Sequence, residues 1–184
     1  ERRTSSLTKR RTVKKDFQVA WLLKAITMLD LTTLNGDDTF GKVDKLCQKA
    51  LNPVSEIILR NLKLKNNSLK VGAVCVYHDL VTHAKRHLKN QLPVAVVSTG
   101  FPAGLSSLQT RKKEIVNSIN SGADEIDVVI NRAHVLRNEW TKLYDEVREF
   151  KEVAKGKKIK TILGVGDLET LRNVAKASLV CMMA

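Results

Sequence analysis

An α/β fold, built from parallel strands joined by helices, is what this sequence predicts, and three observations predict it. Short Val/Ile-rich runs recur from about residue 69 onward: "VGAVCVY" (71–77), "VAVVSTG" (94–100), "EIDVVIN" (125–131) and "KTILGVG" (160–166). Their apolar residues run together instead of alternating, as in strands covered on both faces. Between the runs, apolar residues return at the i, i+3, i+4, i+7 spacing of a helix with one buried face. Successive strand–helix units follow.

The elements can be justified in chain order. "FQVAWLLKAITMLDLTTL" reads as a helix leading into a first strand at about residues 29–34, and "GDDTFGKVDKLCQKAL" as a loop and a helix with Val43, Leu46, Cys47 and Ala50 on one face. Leu108, Ile115, Val116 and Ile119 mark another helix, closed by "NSG", with Gly122 free to take a left-handed cap. Trp140, Leu143, Tyr144, Val147, Phe150 and Ala154 mark the next. The last helix falls within about residues 168–184. Five strands result, each followed by a helix. Five units suffice for an open doubly wound sheet but not for a closed eight-stranded barrel, and periodicity does not choose between these architectures.

Composition narrows the function. In 184 residues with 43% hydrophobic content there is material for a sizeable core. No apolar run reaches the about 18 residues of a membrane span, and the basic N-terminus lacks the apolar middle of a secretory signal, so a cytoplasmic protein is expected and no membrane partner. Cys47, Cys75 and Cys181 are far apart and form no CxxC pair, as expected of reduced core thiols. The net charge of +13 is concentrated: residues 1–15, "ERRTSSLTKRRTVKK", carry +6, leaving +7 for all the rest. The reading is therefore a basic tail over 1–15 and one domain over 16–184. The tail is compatible with a nuclear address, but 4% aromatic content leaves few stacking platforms and argues against nucleic acid as the main partner. No G-x-G-x-x-G or Walker spacing follows any strand, which removes the usual support for a nucleotide cofactor.

Several strands carry polar residues among apolar neighbours: Asp30, Thr32 and Thr33 in "LDLTTL", Cys75 in "AVCVY", Asp127 in "EIDVVIN", and Lys160 at the start of "KTILG". With period 2, Asp30, Thr32 and Leu34 share one side of their strand, and Asp127, Val129 and Asn131 share one side of theirs. A carboxylate inside an apolar strand must be paired or hydrogen-bonded. Two carboxylates and a lysine converging on a common interior would form a proton-transfer network. His78, His83 and His87 lie at or near a helix, the last two four residues apart. With Lys85, Arg86 and Lys89 around them and no acid at supporting spacing, they read as an exposed basic helix and not as a metal site.

"LLKAITMLDLTTLNGDDT", "AVCVYH", "STGFPAG", "GADEIDVVINR" and "KTILGVGDLETL", in this order, closely resemble the deoxyribose-phosphate aldolases, and "RRTVKKDFQVAWLLKA" is similar to their animal form. The resemblance covers about residues 10–184. It implies a TIM-type barrel, here about five of eight βα units, and reversible cleavage of 2-deoxy-D-ribose 5-phosphate to D-glyceraldehyde 3-phosphate and acetaldehyde through a lysine Schiff base, with no cofactor and no metal. It also implies that Asp127 is the proton donor and acceptor, that Asp30, Thr32, Cys75 and Lys160 line the substrate pocket, that the partner is a small sugar phosphate, and that homo-oligomers are compatible with the fold.

The chain departs from the family in several places. The family's "IKTSTGK" and "FKPAGG" motifs, which carry the Schiff-base lysine and a second lysine, do not occur in these residues. His78 stands where proline is usual, and "GVGDL" stands where "TGEL" is usual. A first residue other than Met and an ending inside a helix point to a piece of a longer enzyme, expected to lack turnover on its own. The rival reading is a non-enzymatic adaptor whose basic tail contacts RNA or an acidic partner; another sugar-phosphate lyase on the same barrel is a second.

Overall fold

A computed structural model describes residues 2–7, 9–10, 12–65 and 69–184. Residues 1, 8 and 11 of the basic segment lie outside the described residues. Two compact units are present, Arg11–Ala95 and Val96–Ala184 with Glu1–Arg10.

In the first unit, helix α2 (Lys15–Ile26) leads to strand β1 (Asp30–Thr32), followed by helices α3 (Phe40–Leu51) and α4 (Glu56–Asn61), strand β2 (Ala73–Val76), helix α5 (His78–Leu88) and the start of strand β3 (Val94–Ser98). The short helix α1 (Arg2–Leu7) precedes them in the chain. β1 and β2 pair in parallel, with Asp30 opposite Ala73 and Thr32 opposite Cys75. All four residues of β2 are buried, as the unbroken apolar run requires. α3 is capped by Thr39, whose hydroxyl accepts from the Lys42 amide at 3.4 Å, and of the expected stripe it buries Val43, Cys47 and Ala50 while Leu46 is half-buried.

In the second unit β3 is followed by helix α6 (Leu108–Asn120), strand β4 (Glu125–Val129), helices α7 (Arg132–Leu136) and α8 (Trp140–Val153), strand β5 (Lys158–Ile162), a 3-10 turn (Val165–Leu168) and helix α9 (Leu171–Met183). β4 and β5 pair in parallel, with Asp127 opposite Lys160. Ile130, Val135, Leu143, Val147, Leu168, Ala177 and Cys181 form the core under α7, α8 and α9. Gly122 takes a φ of +96° after α6, the left-handed position expected from "NSG".

The strands follow one another in the order β1-β2-β3-β4-β5. A doubly wound sheet reverses its strand order at a switch point, whereas a barrel adds each strand beside the one before. The unreversed order identifies the units as those of a TIM-type fold, five among the described residues.

Two expectations need correction. The fifth strand starts at Lys158, not Lys160, because the lysines of "KKIKTI" alternate with Ile159 and Thr161 and are full members of the pleat. Lys160 therefore sits at mid-strand. The histidine helix is not simply an exposed basic one. Asp44 Oδ1, on α3, lies 2.8 Å from His83 Nε2 and 2.9 Å from His87 Nδ1. Gln48 reaches His87 Nε2 at 2.9 Å, and Phe40 stacks on His83 at 4.4 Å between centroids. The acid that pairs with the two histidines comes from another helix, 39 residues before His83 in the chain. Its hydrogen bond from His83 holds the Asp44 carboxyl below its ordinary range. His78, in turn, is the first residue of α5 and not a flank.

Candidate active site

β4 and β5 bring Asp127 and Lys160 together. Their opposed register sets both side chains on one face of the sheet, and Lys160 Nζ lies 3.1 Å from Asp127 Oδ1. One pleat earlier, Glu125 faces Lys158, whose ammonium donates to Glu125 Oε1 at 2.8 Å, while Glu125 Oε2 lies 3.5 Å from Lys160 Nζ. Two carboxylates and two ammonium groups thus alternate along adjoining strands. Asp127 and Glu125 are largely buried, at 13% and 12% side-chain exposure, and Lys160 is 36% exposed. Burial that would be prohibitive for a lone carboxylate is offset by the facing cations.

In the other unit, Thr32 and Cys75 lie opposite each other on β1 and β2, so their side chains share a face. Cys75 is buried, whereas Asp30 and Thr32 are exposed. Thr32 donates its hydroxyl to the Asp30 carbonyl at 2.9 Å, a local bond that fixes its rotamer. Thr33 donates to Asp38 Oδ1 at 2.9 Å and anchors the loop that follows β1.

Two charged residues that sequence reasoning missed hold the end of β4. Arg111 on α6 and Glu146 on α8 form a fully buried ion pair. Arg111 also donates to the Thr99 carbonyl at 3.1 Å and to the Val129 carbonyl at 2.5 Å, and its guanidinium lies 4.8 Å from the centre of the Phe150 ring. Glu146 accepts from the Asn131 amide at 2.9 Å. Thr99, at a φ of +63°, accepts from the Val129 amide at 2.6 Å. The strand that carries Asp127 is therefore clamped at its C-terminal end by polar groups on α6, α8 and the chain after β3. Only a helical spacing that placed Glu146 beside Val147 on the buried face could have hinted at this.

Around the same ends, Gly104 takes a φ of +71°, and a Cβ there would meet Val129 Cγ1 at 2.9 Å and the Ile130 carbonyl oxygen at 3.0 Å. The glycine in "FPAG" is required for this close approach. A cleft of about 500 Å³ runs beside β5, bordered by Lys157, Lys158, Lys160, Thr161, Ser178 and Cys181. Among the described residues, β5 has one neighbour in the sheet, β4. Among the described residues no group of three or more His, Cys, Asp or Glu side chains is arranged to hold a metal ion, and no helix is long and apolar enough to cross a membrane.

Serial parallel βα units, with a lysine and a carboxylate paired at mid-strand, define the class as a TIM-type barrel scaffold. Comparison with known proteins gives the family: residues 24–181 match the model of the DeoC/LacD family aldolases, and the chain belongs to that family. Over its whole length it is 49% identical to deoxyribose-phosphate aldolase of Homo sapiens and 50% identical to that of Mus musculus. It spans 58% of the length of each. Among solved structures, a putative deoxyribose-phosphate aldolase from Coccidioides immitis matches with a TM-score of 0.71 and 23% identity, over 88% of this chain and 57% of that one. A tetrameric deoxyribose phosphate aldolase from Aeropyrum pernix matches at 0.65 and 19% identity, over 87% and 60%. At these identities the structural matches speak for the fold.

Proposed function

We propose that this chain supplies the first five βα units of a deoxyribose-phosphate aldolase, and that the Asp127–Lys160 pair is part of its proton-handling machinery. The observation that carries this reading is the 3.1 Å contact between them, in a chain about half identical to animal relatives of that name. In the proposed reaction, an amine outside this chain condenses with the substrate aldehyde and releases water. The electrons of the breaking carbon–carbon bond flow into the protonated imine. Asp127 accepts the proton of the hydroxyl whose carbon becomes the aldehyde of D-glyceraldehyde 3-phosphate and returns it to the enamine carbon that becomes the methyl group of acetaldehyde. Water then hydrolyses the remaining imine and frees the amine. Lys160 holds Asp127 in place and contributes positive charge to a site that receives a phosphate ester. Asp30, Thr32 and Cys75, on β1 and β2, are proposed as further substrate-contacting residues. Neither "IKTSTGK" nor "FKPAGG" occurs among the 184 residues, so the chain alone is expected to have no turnover.

A basic tail over residues 1–15 ahead of one aldolase domain, a cytoplasmic location and a homo-oligomeric enzyme complete the proposal. Support for the last is the tetramer named for the Aeropyrum pernix protein.

A chimera tests the reading directly: this chain joined to the remaining portion of the human relative. Cleavage of 2-deoxy-D-ribose 5-phosphate is expected, with trapping by borohydride in the presence of acetaldehyde, and Asp127→Asn should lower kcat by about 10²-fold or more. A folded chimera that turns over equally well with Asp127→Asn would overturn the role of Asp127. Cleavage by the 184-residue chain itself would overturn the expectation that it is inactive. Intact mass of the protein from its own cells bears on the same point, and a value well above 20.6 kDa is expected.

A further inference from the structure

We propose that Arg132 is a positioning residue that locks the loops after β3, β4 and β5 into one rim, and that Gly164 and Asp167 are the partners this lock requires. Arg132 is the first residue of α7, directly after the strand that carries Asp127. Its guanidinium reaches to both sides. Nη1 and Nη2 each donate to the Pro102 carbonyl at 3.3 Å, in the loop after β3, and Nε lies 2.9 Å from Asp167 Oδ2, in the turn after β5. Three consecutive strand–helix loops are thereby joined through one side chain.

Gly164 is what lets the arginine lie there. It takes a φ of +64°, and a Cβ on it would stand 2.8 Å from Arg132 Cδ and 3.0 Å from Nη1. Any other residue at 164 meets both a steric and a backbone penalty, and the piece that can yield is the arginine. Asp167 then supplies the counter-charge one turn on, with its amide closing onto the Gly164 carbonyl at 2.9 Å. The departure "GVGDL" is thus accounted for as a unit, with a glycine that makes room and a carboxylate that pairs. The Asp167 carboxylate is 64% exposed, so the ion pair alone is weak. The strength of the lock lies in the planar fork, which engages two loops at once, and a lysine, a point charge with one direction, cannot replace it.

In this fold the loops at the C-terminal ends of the strands bear the reacting groups and hold the substrate. The bearing of Arg132 on turnover therefore rests on the aldolase reading, while the lock itself does not. Amide hydrogen exchange in the 184-residue chain tests the lock. The Gly104 amide, bonded to the Gly100 carbonyl at 2.8 Å, reports one loop, and the Asp167 amide reports the other.

Arg132→Ala and Gly164→Ala are each expected to speed exchange at both reporters about tenfold and to leave α6 and α8 unchanged; Arg132→Lys should not restore protection. A slowly exchanging Arg132 Nε–H signal should be present in the native chain and absent after Gly164→Ala. Unchanged exchange at both reporters in Arg132→Ala refutes the lock, and so does an equal acceleration in α6 and α8, which would mean general destabilisation. In the chimera, Arg132→Ala should raise KM about tenfold with kcat within about twofold. Loosened loops with unaltered kinetics would refute the positioning role and leave the aldolase reading intact, whereas an inactive parent chimera would count against that reading and leave the exchange result standing.

Discussion

Removing Glu146 should cost this chain a large share of its stability, and the structure sets the size. The side chains of Arg111 and Glu146 are 3% and 6% exposed, so neither charge has water to fall back on. Glu146→Ala leaves the Arg111 cation with two backbone carbonyls and no counter-charge, a loss of about 3–5 kcal/mol, and it orphans the Asn131 amide as well. Arg111→Met leaves the Glu146 carboxylate facing a single amide and should cost a similar amount. If the effects were independent, the double change Arg111→Met with Glu146→Ala would cost about 8 kcal/mol. It removes both buried charges together, however, and leaves as its main debt the Thr99 carbonyl and the Asn131 amide without partners. About 3 kcal/mol is expected. Urea unfolding in a Trp21→Phe background, followed by Trp140 fluorescence, reads the second unit. An additive double mutant, or a Glu146→Ala loss below about 1 kcal/mol, would refute the argument that this pair clamps the end of β4.

Further outcomes follow from the same geometry. Hydrogen bonds from Lys142, His134 and Arg137 hold the Glu139 carboxyl down at about 2 against an ordinary 4.5. A depressed carboxyl contributes stability above its unfolded value and loses it as pH falls, so the α7–α8 corner should loosen between about pH 4.5 and pH 2; in Glu139→Gln, amide exchange there should no longer respond over that range. Burial, with the Asp44 charge nearby, pushes the Cys47 thiol up to about 11. At pH 8 only about one in a thousand of such thiols is ionised, so Cys47 should resist alkylation in the native chain and react on unfolding, as peptide mapping after a timed iodoacetamide pulse would show.

What the sequence made legible was the part carried by local pattern. Val/Ile runs marked β2, β3 and β4 because strands covered on both faces need no polar alternation. The stripes on α3 and α8 fell where 3.6 residues per turn puts them. Asp127 stood out because a carboxylate in an apolar run demands a partner. Lys160 reads as the start of its strand because lysines look like solvent-facing residues until the facing strand supplies Glu125 and Asp127. Arg111 and Glu146, 35 residues apart, each look like part of a solvated helix face, and only their meeting makes burial affordable. Asp44 and the two histidines escaped for the same reason. Long-range pairing of charge has no period, and it is where reading the chain alone failed.

The uneven burial of Asp127 and Lys160 bears on why the pair exists. A fully buried ion pair is a poor route to stability, because desolvation consumes most of the attraction, and a fully exposed one contributes little. Here the carboxylate is 13% exposed and the ammonium 36%, so the acid is withdrawn from water while its partner keeps access to it. A well-packed apolar pair at the same register would serve the sheet at least as well. What the apolar pair lacks is a carboxylate held 3.1 Å from an ammonium that borders a cleft. Stability therefore gives a weak reason for Asp127 and Lys160, which leaves room for the proton-handling role proposed above. The arrangement separates the two accounts experimentally. Asp127→Asn with Lys160→Met should leave unfolding free energy within about 1 kcal/mol of the parent chain while removing turnover from the chimera. A large loss of stability in that double variant would return the pair to a structural role.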